Sequence, residues 1–322
     1  MMYVGPEMFV EVTDRDVARR VFKETVSRVE METHSYCNRR CSYCPNVVGD
    51  RLGPNQLIPE DIWQTIIGGL EEIEYDELLV LNYYNEPLAD RSILARIREA
   101  RTRLPKARIM IYSNGDYLEP SLIEELADAG LNYLHVSIHL KQGDAYTDRY
   151  VLNRIIEVSV RMGIPAQITA LKSAQYIVAK VAHRRMEIEV RAINFYHLGT
   201  DRGGLIGDIH TAAKRKDSCF FPFAHFVVSY NGLVAPCCHI RSDRPEHEAF
   251  IYGNLRDYGS IFQAFTSAPA AAWRRELSSS DEKRSPCDTC SAGVLTNADS
   301  VKIVAAAHQR HVLGAPAAAG SS

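Results

Sequence analysis

The stretch "SRVEMETHSYCNRRCSYCPN", residues 27–46, sets a β-prone run directly before three cysteines within eight positions, Cys37, Cys41 and Cys44. A strand over 27–36 would end where the cysteines begin, so the trio falls on the loop at that strand's C-terminal end. Runs of the same β-branched and aromatic character recur at 76–84, 107–113, 131–140, 164–171 and 188–198, making six predicted strands. Helical runs at 59–73, 91–103, 119–130, 148–162 and 173–185 lie between them. Pro59 and an acidic first turn open the first of these, and Gly130 supplies a C-terminal stop for the third. Strands alternating with helices require parallel pairing and right-handed crossovers, which gives an α/β fold: a partial barrel of six βα units with its active residues at the strand C-terminal ends.

The remainder of the chain reads differently. After Gly204 the run "HFVVSYNGLVAPCCH" (225–239) predicts a hairpin, with Asn231-Gly232 as a type I′ turn. Short helices are expected in "YGNLRDYGSIFQAF" (252–265) and "PAAAWRREL" (269–277), then a C-x2-C pair in "SPCDTCSAG" (285–293), and disorder in "APAAAGSS" (315–322). The division this implies is a helical extension over 1–26, the barrel over 27–204, a second unit over 205–293, and a helix plus tail over 294–322.

Composition limits the chemistry. With 322 residues, 46% of them hydrophobic, the chain can bury a full core. A net charge of -3 offers no footprint for nucleic acid, and no apolar run is long enough to span a bilayer. A cytoplasmic protein is expected, and in that reducing compartment eight cysteines in close sets point to metal ligation rather than disulfides.

Four thiolates close a zinc or iron–sulfur site, whereas three around a four-iron cube leave one iron open. The C-x3-C-x2-C pattern after a first strand, with Tyr43 just before the last cysteine, resembles the radical S-adenosylmethionine (SAM) superfamily. That resemblance implies a 4Fe–4S cluster on Cys37, Cys41 and Cys44 whose open iron chelates SAM. Reductive cleavage would then release a 5′-deoxyadenosyl radical that removes a hydrogen atom from the substrate. It also implies SAM contacts from Tyr43, from Glu86 and Pro87 in "NYYNEPL", from Ser113, Asn114 and Gly115 in "YSNGDYL", and from Ser137 in "VSIHL". Both glycines of the family's Gly-Gly-Glu-Pro-like segment are absent here. His139 and Arg202 are expected at the barrel mouth as catalytic or substrate-holding groups.

Cys219, Cys237, Cys287 and Cys290 flank the hairpin and the Gly-Asn-Leu segment in a pattern that resembles the SPASM and twitch auxiliary-cluster domains. This implies a second 4Fe–4S cluster with four protein ligands, able to pass an electron but not to bind substrate. Cys238 is left over, as a small buried filler or as a hydrogen-atom donor. The comparison that fits best is with the aminocyclitol dehydrogenases of aminoglycoside biosynthesis, which implies oxidation or epimerisation of a sugar, aminocyclitol or nucleoside-like molecule, with a flavodoxin or ferredoxin-type electron donor. Modification of a ribosomal peptide is the alternative within the superfamily. A non-enzymatic zinc protein, with His34 as a possible fourth ligand to the trio, is the alternative outside it.

Overall fold

The computed structural model describes residues 4–140, 144–209, 213–292 and 298–314. Its strands are β1 (Arg28–Met31), β2 (Leu78–Val80), β3 (Arg108–Ser113), β4 (Tyr133–Ile138), β5 (Gln167–Lys172), β6 (Tyr176–His183), β7 (Met186–Ile193), β8 (His225–Val228), β9 (Leu233–Ala235) and β10 (Gly253–Asn254). The helices are α1 (Arg15–Thr25), α2 (Glu60–Glu72), α3 (Ile93–Arg103), α4 (Pro120–Ala129), α5 (Asp148–Met162), α6 (Phe195–Leu198), α7 (Phe221–Ala224), α8 (Leu255–Tyr258), α9 (Ile261–Phe265), α10 (Ala268–Ser278) and α11 (Ala298–His311). All strands join one open sheet in the order β10-β9-β8-β1-β2-β3-β4-β7-β6-β5.

The α/β class with a parallel centre is as expected. β1 through β4 and β7 are mutually parallel along the sheet, and β8 adds a further parallel strand on the other side of β1. Helix ends follow the local code: Asp14 Oδ1 caps α1 by accepting from Val17 N at 2.9 Å, and Gly130 closes α4 in the left-handed region at φ 94°.

Two sequence expectations are corrected. The run 173–185, read as a helix, is strand β6, and β5 is antiparallel rather than parallel, so the fifth crossover is a meander, β5-β6-β7. In "YIVAKVAH" the residues Ile177, Ala179 and Val181 are buried at alternate positions, a period of two that the alanines and lysine disguise as helix-forming. Positive φ at Ala174 (59°) and Arg184 (56°) turns the chain at each end of β6. The second correction concerns the hairpin. Gly232 alone takes positive φ (81°) there, Asn231 does not, and the turn closes by Gly232 N donating to Ser229 O at 2.9 Å, so the type I′ assignment fails.

One apolar core runs through both parts of the chain. Phe22 of α1 meets Phe226, Phe262 and Phe265 edge-on at 5.4, 5.5 and 5.3 Å between centroids, locking the N-terminal helix to β8 and α9. Above that core, at the C-terminal ends of the parallel strands, lies a buried ionic network. Arg51 Nη1 donates to Glu32 Oε1 at 2.8 Å, Arg51 Nε to Asp243 Oδ2 at 2.9 Å, Arg241 Nε to Asp243 Oδ1 at 2.6 Å, and Arg241 Nη1 to Asn46 Oδ1 at 2.9 Å. Glu32, Arg51 and Arg241 are at most 3% exposed. Burial opposes the charge on Asp243, yet the two guanidiniums hold its carboxyl below the usual range.

Removing one partner of such a pair leaves a charge buried without compensation. Arg51→Ala is therefore expected to destabilise the fold by about 3–5 kcal/mol, and the uncharged double replacement Arg51→Met with Glu32→Gln by less. Thermal unfolding of the two variants beside the parent checks the order.

Candidate active site

Residues from the ends of several parallel strands line one cavity of about 330 Å³. Cys37, Cys41 and Cys44 line it from the loop after β1, Glu86 from the loop after β2, Ser113 and Asn114 from β3, and Ser137 and His139 from β4. Arg202 and Cys238 reach it from after β7 and after β9. The cavity thus brings together the cysteine trio and most of the candidate residues read from the sequence. Three candidates stand off its lining. Tyr43 lies behind it, stacked on Phe195 at 4.5 Å, its hydroxyl bonded to His139 Nδ1 at 2.9 Å and accepting from Leu140 N at 3.1 Å. Pro87 opens the buried 3-10 turn Pro87–Ala89. Gly115 (φ 77°) makes the turn after β3, where a Cβ would come within 2.9 Å of Val136 Cγ1.

The loop bearing the trio is pinned on several sides. Cys37 N donates to Arg51 O at 3.0 Å, and Cys44 N to Cys41 O at 2.9 Å. Arg39 forks onto Asp116 at 2.7 and 2.5 Å, and Asn114 Nδ2 donates to Asn38 Oδ1 at 2.7 Å, which ties the loop to the end of β3. Burial pushes the thiols of Cys37 and Cys41 up to about 11 and about 12, and the neighbouring Cys44 adds to both. Glu86 accepts from Ser113 Oγ at 2.8 Å, Asn114 N at 2.6 Å and Leu88 N at 3.1 Å. Burial nevertheless raises its carboxyl to about 7. Three of its roughly four acceptor positions are then occupied.

Sequence reasoning missed the floor. Arg28 and Glu30 of β1, Tyr112 of β3 and Arg191 of β7 all line the cavity. Arg28 Nε donates to Glu30 Oε1 at 2.6 Å, and Oε2 of Glu30 has no hydrogen-bond partner among the described residues. A signal was present: "RVEME" carries Arg28, Glu30 and Glu32 at alternate positions of a strand expected to be covered on both faces, where charge is rare unless used.

The remaining cysteines form a second group. Cys219, Cys237, Cys287 and Cys290 lie close enough that the thiolates of the others raise Cys237, although burial is the larger cause. Arg215 wraps them, donating to the carbonyls of Ser218 (2.9 Å) and Cys290 (3.4 Å). Thr289 donates to the buried Asp201, tying the C-x2-C pair to the loop after β7. Between this group and the cavity stand Tyr83 and Tyr84, whose hydroxyls donate to the carbonyls of Cys237 and Cys238 at 3.3 and 3.1 Å. Burial first, then Glu30, pushes the Cys238 thiol up to about 12.

The donor sets fit iron–sulfur clusters: three thiols on an open cavity, and four more off its lining, Cys219 buried and Cys237, Cys287 and Cys290 half-buried. No helix among the described residues is long and apolar enough to cross a membrane.

Comparison with known proteins agrees. A radical SAM superfamily model matches residues 31–157, and a SPASM model, an iron–sulfur cluster-binding domain, matches residues 219–291. The chain is 25% identical over 211 residues to the S-adenosyl-L-methionine-dependent 2-deoxy-scyllo-inosamine dehydrogenase of Niallia circulans, covering 66% of this chain and 73% of that one. Its fold resembles the crystal structure of BtrN in complex with AdoMet and 2-DOIA (TM-score 0.60, 21% identity, 84% of this chain and 95% of that one). It also resembles selenomethionine BtrN in an open conformation (TM-score 0.51, 20% identity, 78% and 85%).

Three histidines, His135 buried and His139 and His225 half-buried, predict a pH response. Burial, then cationic neighbours, push His135, His139 and His225 down to about 3. Below the unfolded value of about 6.5, the unfolded chain binds protons that the folded chain refuses, so stability falls as pH drops through that value, by at most about 1.4 kcal/mol per pH unit for each histidine. Thermal midpoints recorded from about pH 7 to about pH 5 check the sign.

Proposed function

Because this chain belongs to the radical SAM superfamily and carries a SPASM iron–sulfur cluster-binding domain, we propose that it dehydrogenates a secondary alcohol on a small polyhydroxylated ring of the aminocyclitol kind in natural-product biosynthesis. One observation carries the reading. A single cavity has the cysteine trio on one side, a proton acceptor on its floor, and the second cysteine group behind the wall formed by Tyr83, Tyr84 and Cys238. Oxidising an alcohol to a ketone removes a hydrogen atom, a proton and an electron, and this arrangement offers a destination for each. The activity named for the Niallia circulans relative supports the same choice.

In this reading Cys37, Cys41 and Cys44 hold the SAM-binding cluster, and Cys219, Cys237, Cys287 and Cys290 hold the auxiliary one. When bound, SAM and the first cluster supply the hydrogen-atom acceptor, and the auxiliary cluster the electron acceptor. The protein's own part is to bind, orient and move the proton. Glu30 is the carboxylate suited to take the hydroxyl proton: Glu86 is largely occupied by protein donors, whereas Glu30 keeps Oε2 for the substrate while Arg28 holds Oε1. Ser113, Asn114, Ser137 and Glu86 line the side next to the trio and are placed to contact SAM, with Tyr43, Pro87 and Gly115 fixing the backbone behind them. His139 is a hydrogen-bonding group held by Tyr43. Arg202 and Arg191 offer guanidinium donors to substrate hydroxyls. The external electron comes from a flavodoxin or ferredoxin-type protein.

Cys238 favours a second reading, since a thiol on the cavity could return a hydrogen atom and make the enzyme an epimerase. Turnover in deuterated water separates the two. Dehydrogenation gives a product oxidised by two electrons with no solvent deuterium at the reacting carbon, and Cys238→Ala keeps turning over. Deuterium at that carbon, together with an inactive Cys238→Ala, would establish epimerisation instead. Glu30→Gln is expected to lose about 10²–10⁴-fold in turnover. The ligand assignment has its own test: anaerobically reconstituted parent should hold about eight irons, and Cys219→Ala about four.

A further inference from the structure

Tyr252 has a place in the second cysteine group that the proposed reaction does not use. Its ring is buried, and its hydroxyl has no hydrogen-bond partner among the described residues. Its segment lies beside the one that carries Cys237: the Tyr252 backbone is bonded to Val234, three residues before that cysteine. Its backbone is fixed at both ends: Tyr252 N donates to Val234 O of β9 at 2.9 Å, and its carbonyl accepts from Tyr258 Oη.

Arg274 of α10 is 0% exposed. Nε donates to Pro222 O at 2.8 Å and Nη2 to Phe265 O at 2.7 Å, and the guanidinium stacks over the Phe265 ring at 4.1 Å. Its Nη1 has no hydrogen-bond partner among the described residues. Cys219 N donates at 2.8 Å to the carbonyl of Leu277, one turn beyond Arg274 on α10. Two donors, one of them cationic, are thus buried in segments bonded to those that carry the cysteines, each without an acceptor among the described residues. A buried donor left unmade is destabilising, and a native fold keeps one where something else accepts it.

We infer that the Tyr252 hydroxyl donates a hydrogen bond to a sulfur of the auxiliary cluster held by Cys219, Cys237, Cys287 and Cys290, and that this contact, backed by the Arg274 charge, raises that cluster's reduction potential. A donor aimed at sulfur and a nearby cation both favour the reduced, more negative state. A higher potential suits a cluster that must accept an electron from a substrate radical. The inference rests on the ligand assignment above and is independent of which alcohol is oxidised.

The experiment needs no turnover. Reconstituted Tyr252→Phe and parent are titrated electrochemically, with both clusters followed by electron paramagnetic resonance. The expected result is a negative shift of the auxiliary midpoint with the SAM-binding cluster unmoved. In deuterated water, electron–nuclear double resonance should lose one deuteron coupling from the auxiliary cluster of the variant. An unchanged midpoint with unchanged couplings overturns the inference. Should Tyr252→Phe assemble too little iron to titrate, 3-fluoro- and 3,5-difluorotyrosine at position 252 keep the hydroxyl and make it a stronger donor. The auxiliary midpoint then rises in that order, and a midpoint indifferent to fluorination overturns the inference equally. Failure of the ligand assignment would look different: Cys219→Ala would keep its full iron content.

Discussion

A carboxylate shut off from water controls the mouth of this molecule. Glu32, at 0% exposure, follows β1 and accepts from Arg51 Nη1, from Tyr84 N at 2.9 Å, and from Tyr230 N at 3.4 Å. Those three donors belong to the cysteine loop, the loop after β2 and the hairpin turn of the second unit. A buried charge tolerates few arrangements, because every lone pair that loses water needs a donor in its place. Once Glu32 is satisfied, the three segments are in register with one another, and Asp243 and Arg241 extend that register to Asn46, two residues past Cys44.

The consequence is that two cysteine groups far apart in sequence share one frame. Because β8 continues the parallel sheet beside β1, the second unit extends the sheet instead of hanging from it, and its hairpin points its cysteines towards the same end as the barrel loops. The tyrosines after β2 complete the frame, their hydroxyls holding the carbonyls of Cys237 and Cys238. Four arginines, Arg28, Arg39, Arg191 and Arg202, face the cavity against two glutamates, Glu30 and Glu86. That excess of positive charge suits a site built around thiolates, since an anionic centre in a poorly hydrated cavity needs cations nearby.

Much of this was legible locally. The cysteine spacing, the stop at Gly130, the helix over 148–162 and the short helices within 252–265 depend on neighbours within a few residues, and they appear where the sequence puts them. The meander was not legible, because alanine and lysine favour helix over strand locally, and β6 owes its conformation to pairing with β5 and β7 on both sides. Nor was the hairpin turn, where Asn-Gly is compatible with several turn types and the pairing of β9 with β10 selected one. The charged floor escaped because no residue in it marks a motif. Arg28 and Glu30 acquire meaning only when Tyr112 and Arg191, from strands 80 or more positions later, arrive beside them.

What the sequence determined by itself is the pattern that depends on spacing along a chain: three thiols on one short loop and four more around a hairpin, which by their resemblance to known motifs imply two kinds of iron–sulfur ligation. Tertiary structure decided which groups face those thiols. That Glu30 lines the cavity, that Tyr43 braces His139 from behind, and that Tyr252 and Arg274 keep buried donors without a protein acceptor among the described residues all follow from strand order and burial. The physical reason is range: metal ligation is specified by residue type at close spacing, whereas the partners of a buried polar group are set by whichever segments the sheet brings within about 3 Å.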